Sequence, residues 1–462
     1  MGAERKKSLL LQPKVAIYDC PKVVGKAISE RLASCGYKVL FEGKLSKATA
    51  SNDADIWVTK WTSFKDPDTK RPLSLKKYHP KAGIVSLSVG TEHIDKVTTD
   101  ALGLKVVSCP TFSTSSVAEH AIALAMRSLY KRSTLPPLST GPVIFPNFSD
   151  TCAERVVSQI LFRSRQMESS MKRARDFIYA HPDGIRHDEP WSNEELKGLN
   201  IMIVGDDHPA TRLAQMLKLG FNCNLYGYEA SESLAAFNVE PLGPLGFFEL
   251  YDKIDYIFLC TERFGMLSKG RNVDARRLKP PNTEFSGSNV AVLGTGRIGS
   301  NIARIARLGF NCHVTAFSTS EKEDLLGIGV RYATTVSNAI RHADFIFIAL
   351  PLNEKTRSLI SGKEIEKLSK DRQRVIINVT RDKILDSNSV LEQLDKREWL
   401  RLAMDVVHND ATLWQGGKPD STAKKFMNHP RVLTTPHEGD CSKNSLQRML
   451  REVVEMVREA LG

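Results

Sequence analysis

A strand-like run, "NVAVL", leads into "GTGRIG" and on into an amphipathic stretch, "SNIARIARLG". Gly294, Gly296 and Gly299 stand in the G-x-G-x-x-G spacing that suits a dinucleotide pyrophosphate. Gly294 permits the tight turn, Gly296 lets backbone approach the phosphates, and Gly299 lets the following helix close on the strand. The helix opening here offers backbone N–H groups to the anion. The next strand-like run, "CHVTAFSTS", ends at Ser318, with Thr319, Ser320 and Lys322 after it. A site built for NAD places a carboxylate in that slot to accept from the ribose hydroxyls. Hydroxyls and an ammonium repel no 2′-phosphate, so the expected cofactor is NADP or NAD, with a lean towards NADP(H). A loosely specific site is the alternative.

These residues need elements to hold them. Residues 14–109 alternate short apolar runs ("KVAIYD", "ADIWVTK", "AGIVSLSVG", "LKVVSCP") with helix-like stretches, the rhythm of a parallel, two-sided α/β sheet. An apolar helix follows in "SVAEHAIALAMRSLYKR", and then "STLPPLSTGPVIFPNFS", whose prolines, serines and glycine read as a linker. The α/β rhythm restarts at Asn193 and again at Asn282. At an offset of 89 residues, twelve of the 39 positions from 193 to 231 are identical, the five of "LGFNC" among them. Composition alone gives roughly two or three, so internal duplication is expected. Upstream, "PTFSTSSVAEH" (110–120) is echoed by "PNFSDTCAER" (146–155) with one slip in register.

Further motifs come in a telling order: "VSLSVGTEHID", "SVAEHAIALAMR", "ALPLNEKTRSLI", "VIINVTRDKILDSNSVLEQL", "RLAMDVV" and "VLTTPHEGD". Together they resemble the D-isomer-specific 2-hydroxyacid dehydrogenase family over roughly residues 80–132 and 285–450. The resemblance implies a flavodoxin-like substrate domain and a Rossmann-like, doubly wound cofactor domain. It also implies a dimer that moves hydride between a nicotinamide and a small 2-oxo or 2-hydroxy acid. Matched residue by residue, Arg381 is the arginine that grips the substrate carboxylate and carbonyl, a bidentate task suited to its planar fork. His437 matches the acid/base that protonates the carbonyl oxygen, and Asp410 the acid that orients its imidazole. Val89 and Gly90 match the turn whose N–H groups bind the substrate carboxylate. Arg297 and Ile298 match phosphate-loop contacts, and Thr380 and Asp405 contacts nearer the nicotinamide.

The sequence departs from the family pattern at four places. Asp410 stands where a glutamate is usual, Asp382 replaces a glycine, and Glu438 and Asp440 flank the histidine turn. In the upstream repeat the three glycine positions hold Gly205, Asp207 and Ala210, with Asp206 beside them. Two carboxylates facing a pyrophosphate oppose binding. Glu229 aligns with Ser318, and counterparts of the arginine, acid and histidine motifs are missing. The expected organisation is therefore a substrate domain at 1–132 and a degenerate Rossmann-like repeat at 133–281 that binds no dinucleotide. A cofactor domain at 282–437 follows, and a C-terminal helix at 438–462 that packs back towards the substrate domain.

The totals narrow the function classes. With 462 residues, 41% hydrophobic and 26% charged, the composition is that of a globular protein. No run of 18 apolar residues is present and the leading segment has only three leucines before Gln12, so neither a membrane span nor a signal peptide is expected, and the location expected is cytoplasmic. The net charge of +12 is spread over helices of mixed sign, with no basic stripe bearing aromatics, so nucleic acid is not an expected partner. The eight cysteines show no metal-ligand spacing, and no metal is expected. The first functional reading is an NAD(P)-dependent reductase of 2-oxo acids such as glyoxylate or hydroxypyruvate, a homodimer. The second is a non-catalytic, dinucleotide-sensing scaffold of the same family, like its C-terminal-binding-protein corepressors, and the third a decayed product that binds nothing well.

Overall fold

The computed structural model of the chain describes residues 12–43, 45–46, 49–60, 74–88, 91, 94–109, 111–129, 143–144, isolated positions between 154 and 174, 194–205, 208–228, 232–242, 246, 250, 253–259, 285–414 and 417–462. Its strands form three sheets, each parallel throughout.

The first sheet takes β1 (Lys14–Tyr18), β2 (Lys38–Gly43), β3 (Ile56–Thr59), β4 (Gly83–Ser86) and β5 (Lys105–Ser108), in the order β2-β1-β3-β4-β5. That is the flavodoxin-like order. Helix α1 (Lys22–Ser34) covers one face through Val24, Ile28 and Leu32. A chain-terminal helix joins the same core through Met449, Val453, Val457 and Ala460. Helix α2 (Thr114–Leu129) is buried from Ser116 to Ser128, so it is wrapped on all sides rather than amphipathic.

The second sheet holds β6 (Val143–Ile144), β7 (Asn200–Val204), β8 (Asn224–Tyr228), β9 (Glu240–Leu242) and β10 (Tyr256–Leu259), in the order β6-β10-β7-β8-β9. Here the structure corrects one expectation. The stretch read as a linker supplies β6, which pairs Val143 with Phe258 and Ile144 with Leu259. The pairing lies at the sheet's edge.

The third sheet is larger: β11 (Asn289–Leu293), β12 (His313–Phe317), β13 (Arg331–Tyr332), β14 (Phe345–Ile348), β15 (Arg374–Asn378), β16 (Leu400–Met404) and β17 (Val432–Thr434). Its order, β13-β12-β11-β14-β15-β16-β17, is that of a Rossmann sheet with one strand added. Strands such as "FIFI" and "RVIIN" are buried along their whole length, as strands covered on both faces must be. Between β7 and β8 lies α3 (His208–Gln215), which continues as a wider turn at Met216–Gly220. Between β11 and β12 lies α4 (Arg297–Arg304), continuing in the same way at Ile305–Gly309. Strands β7, β8 and β10 and helix α3 with its wider turn recur at the 89-residue offset as β11, β12, β14 and α4, whereas β15, β16 and β17 have no counterpart at that offset among the described residues.

Candidate active site

Strand order in the third sheet reverses between β11 and β14, and the candidate residues gather at the carboxyl ends of its strands, the usual place for a ligand in an open α/β sheet. Gly294, just after β11, has φ 95° and donates its N–H to Phe317 O at 2.7 Å. A side chain at Gly299 would overlap the Gly294 carbonyl and press on Ala349, so helix α4 lies as close to the strand as glycine allows. Nothing lies within 4 Å of where a side chain at Gly296 would begin, which leaves that side of the loop open to a pyrophosphate. Gly296 is the residue before the first turn of α4, Arg297 is exposed and Ile298 half-buried.

Half-buried Ser318 sits beside this loop, its Oγ 3.5 Å from Thr295 N. Lys322 Nζ donates to Ser300 Oγ on α4 at 3.0 Å, and Lys322 N donates to Tyr332 Oη at 3.2 Å. An ammonium is thus held at the start of the helix, next to a hydroxyl. These residues fit a dinucleotide: a bent glycine turn, an open backbone cradle, a helix N-terminus and a nearby cation.

At the end of β15 the chain turns sharply. Asn378 Oδ1 accepts from Thr380 N and from Thr380 Oγ1, both at 3.2 Å, and Asn378 Nδ2 donates to Arg381 O at 2.9 Å. Arg381, half-buried, donates from Nη1 to Thr380 O at 2.8 Å. Asp382 follows, and its Oδ2 accepts from Asn409 N at 3.0 Å. The arginine turn is thereby tied to the segment before α5 (Asp410–Trp414).

His437 Nδ1 and Asp410 Oδ2 meet at 2.6 Å. Both are largely covered, their side chains 13% and 7% exposed. His437 has φ 51°, in the left-handed region that few side chains adopt, a backbone cost typical of functional turns. Burial raises the Asp410 carboxyl above its ordinary value, the charges of Asp382 and Asp405 add to the rise, and His437 opposes it. Asp410 Oδ1 is buried with no hydrogen-bond partner among the described residues, so nothing on that side favours the anion.

Asp405 goes the other way. Burial alone would raise it, but the charge and hydrogen bond of His120, the His437 charge and the Thr435 hydroxyl together hold its carboxyl far below the usual range. It accepts from Thr435 Oγ1 at 2.6 Å, Glu438 N at 3.0 Å and Gly439 N at 2.8 Å. The structure therefore places Asp405 beneath the turn that carries His437, clamping the two residues that follow the histidine. Two neighbouring acids pushed apart in this way take different jobs.

Other partners were not legible as site residues. His120 on α2 brings Nε2 to 3.0 Å from Thr435 Oγ1 and 3.3 Å from Asp405 Oδ1. Lys60, after β3, is fully buried and pairs with Asp440 Oδ2 at 3.0 Å. Ser116 Oγ donates to Gly439 O at 2.7 Å. The motif "SVAEH" pointed towards α2, but no spacing links position 120 to 435 or 60 to 440. Val89 and Gly90, expected at the substrate carboxylate, lie outside the described residues.

Residues 262–439 match the family described as "D-isomer specific 2-hydroxyacid dehydrogenase, NAD binding domain". The match covers less than half of the chain, and over that stretch the chain is similar to the D-isomer-specific 2-hydroxyacid dehydrogenases. Among curated relatives, 2-hydroxyacid dehydrogenase homolog 2 of Schizosaccharomyces pombe is 28% identical over 160 residues, which cover 34% of this chain and 47% of that protein. D-3-phosphoglycerate dehydrogenase of Bacillus subtilis is 30% identical over 177 residues, covering 38% of this chain and 31% of that one. The chain spans about half the length of the first curated relatives it matches. A solved D-lactate dehydrogenase from Aquifex aeolicus, complexed with NAD and lactic acid, shares the fold with a TM-score of 0.56 at 17% identity, over 96% of this chain and 94% of that one.

The added acids around the histidine turn need partners, and two of them have one. Asp440 faces the Lys60 ammonium, and Asp382 accepts from the Asn409 backbone. These two carboxylates are thus engaged by donors of this chain.

Proposed function

We propose that the chain is an NAD(P)-dependent 2-hydroxyacid dehydrogenase that reduces small 2-oxo acids of the glyoxylate or hydroxypyruvate type. The observation that carries this reading is the Asp410–His437 pair, held at the end of the sheet that also bears the open glycine loop. Gly294, Gly296, Arg297, Ile298, Gly299 and Ser318 would hold the dinucleotide, with Thr380 towards its nicotinamide end. A reduced nicotinamide, when bound, supplies the hydride for the carbonyl carbon. Lys322, held against Ser300 at the start of α4, supports the lean towards NADP(H).

Each residue's part follows from its chemistry. Arg381 grips the substrate carboxylate and carbonyl oxygen with two parallel N–H donors. With the Nδ1 proton directed at Asp410, the other nitrogen of His437, Nε2, serves as the acid that protonates the carbonyl oxygen. Asp410 fixes the ring and favours its charged form, and Asp405 is a positioning residue that clamps the loop on either side of that task. Val89 and Gly90 would add backbone N–H groups for the substrate carboxylate.

The domain limits we favour are 1–132, 133–281, 282–437 and 438–462, which the three sheets support. No helix among the described residues is long and apolar enough to cross a membrane. Free thiols at Cys20, Cys109, Cys223, Cys312 and Cys441, all buried, go with a reducing, cytoplasmic setting. The degenerate repeat binds no dinucleotide. At the position of Gly299 it has Ala210, fully buried, whose Cβ falls where the second unit leaves no room.

Mixing the protein with NADH or NADPH and a panel of 2-oxo acids, and following loss of nicotinamide absorbance, tests the proposal. Turnover that disappears in His437→Ala is the expected result. Cofactor binding with no turnover on any member of the panel would favour the second reading, a dinucleotide-sensing scaffold, which the raised Asp410 carboxyl makes a specific competitor.

A further inference from the structure

The two repeats touch each other through equivalent residues. A side chain begun at Gly309 would lie 2.8 Å from Gly220 Cα, and one begun at Gly220 would lie 3.2 Å from Gly309 Cα. These are the same glycine of "LGFNC" in each repeat. The next residues, Phe221 and Phe310, meet edge to face with ring centroids 6.1 Å apart. Gln215, at the end of α3, donates from Nε2 to Leu308 O at 3.2 Å and to Asn311 Oδ1 at 2.9 Å.

A second set of contacts follows the same rule. Glu119 on α2 accepts from Leu196 N at 2.8 Å and from Lys197 N at 3.1 Å. Glu154, which matches Glu119 in the upstream echo, accepts from Phe285 N at 2.9 Å and from Ser286 N at 2.8 Å. Positions 285 and 286 are 196 and 197 moved on by the repeat offset. Where those segments meet the pentapeptides, Cys223 Sγ donates to Leu196 O at 3.2 Å and Cys312 Sγ to Phe285 O at 3.1 Å. The two carboxylate-bearing segments also touch, Ser158 Oγ against Met126 Sδ at 3.2 Å.

Contact between a residue and its own equivalent is the mark of a twofold, isologous interface. Here both sides belong to one chain. One continuous apolar core runs through α2, the first repeat and the second, including Ala210, Leu217, Phe221, Phe285, Ile302 and Phe310. A core of that kind is typical of obligate dimers.

We propose that the first repeat is a built-in partner subunit: the chain is an intramolecular pseudo-dimer whose degenerate repeat occupies the face at Gly309 and keeps a second copy of the chain from docking there. The repeat lost its ligand loop and kept its interface. The protein is then monomeric where the family resemblance implies a homodimer. The proposal stands on the interface alone and does not depend on turnover.

Two measurements on the full chain decide it. Light scattering after size exclusion is expected to give the mass of one chain, 51.5 kDa, at every loading concentration. The double variant Gln215→Cys/Asn311→Cys, oxidised, is expected to give a cross-link within single chains on a non-reducing gel, with the joined peptides identified by mass spectrometry. A dimeric mass, or cross-linked pairs of chains, would overturn the proposal.

Discussion

The two Rossmann-like units share their strand order from β9 to β10 and from β13 to β14, their widened helix ends and their "LGFNC" turns, yet of the two the G-x-G-x-x-G spacing stands in the second. In both, an aspartate at the start of the fourth strand accepts from the first: Asp255 Oδ2 from Asn200 N at 2.7 Å, Asp344 Oδ2 from Asn289 N at 2.9 Å. In both, an asparagine of the pentapeptide takes a left-handed turn, Asn222 at φ 54° and Asn311 at φ 52°. Among the described residues the two differ at the carboxyl edge. There the first unit has Ala210 where the second has Gly299, and among its described residues no strand equivalent to β15, β16 or β17 follows β10. Folding and docking draw on the residues at the amino ends of the strands and along the helices. Binding and chemistry draw on those at the carboxyl ends. The two sets are separable, so one copy can keep the first while losing the second.

The largest expected effect breaks the chemistry of the second unit alone. His437→Ala is expected to lower kcat by roughly a thousandfold, in the range general acid catalysis supplies, while nucleotide fluorescence titration gives an unchanged affinity. An equal loss of cofactor affinity would show that His437 acts by holding the fold.

Next comes the clamp beneath the histidine. Asp405→Asn leaves the His120 and backbone donors facing a neutral amide and is expected to destabilise the protein by about 3 kcal/mol at neutral pH, the usual scale for a broken buried pair. Because the folded-state value of Asp405 is depressed, its contribution is present above its unfolded value of about 3.9 and is lost as pH falls towards the folded one. Melting curves across the acid range should therefore be less steep with pH in the variant. Asp410 has the opposite sign: its raised value makes ionisation costly to the folded state as pH climbs through the interval above about 3.9. Asp410→Asn should lower turnover without the loss of stability seen at Asp405, and a matching loss would refute the division of labour between the two acids.

A smaller change is expected from the cation held at Ser300. Lys322→Ala should weaken NADPH about tenfold, near 1.4 kcal/mol, and leave NADH unaffected. Equal effects on both nucleotides would remove the basis for the NADP lean. Smallest of all, Ala210→Gly in the first unit should produce no second nucleotide site in a binding titration, since a glycine restores room but brings none of the missing motifs.

Much of this was legible in the sequence because it is local. The glycine spacing, the alternation of strands and helices, and the fixed repeat offset each need only neighbouring residues or one alignment. Asp410 and His437, set on successive strand ends by the family order of motifs, do meet. What escaped notice depends on distant approach. Lys60 finds Asp440 across 380 positions, and His120 finds Thr435 across 315. Composition misled at Val143 and Ile144, where prolines and serines outweighed two β-branched residues that a waiting sheet edge pairs. Asp405, placed by resemblance near the nicotinamide, also serves the backbone of the histidine turn, a contact between distant positions that no local pattern announces.

The most direct measurement is a calorimetric titration of the full chain with NADH and NADPH, repeated on Gly299→Ala, which gives the second unit the residue that the first already has. One binding site per chain is predicted, with affinity in the variant weakened by about a hundredfold, the effect of forcing a methyl into a space the loop fills. Two sites per chain, or one that survives Gly299→Ala unchanged, would contradict the assignment of binding to the second unit and of docking to the first.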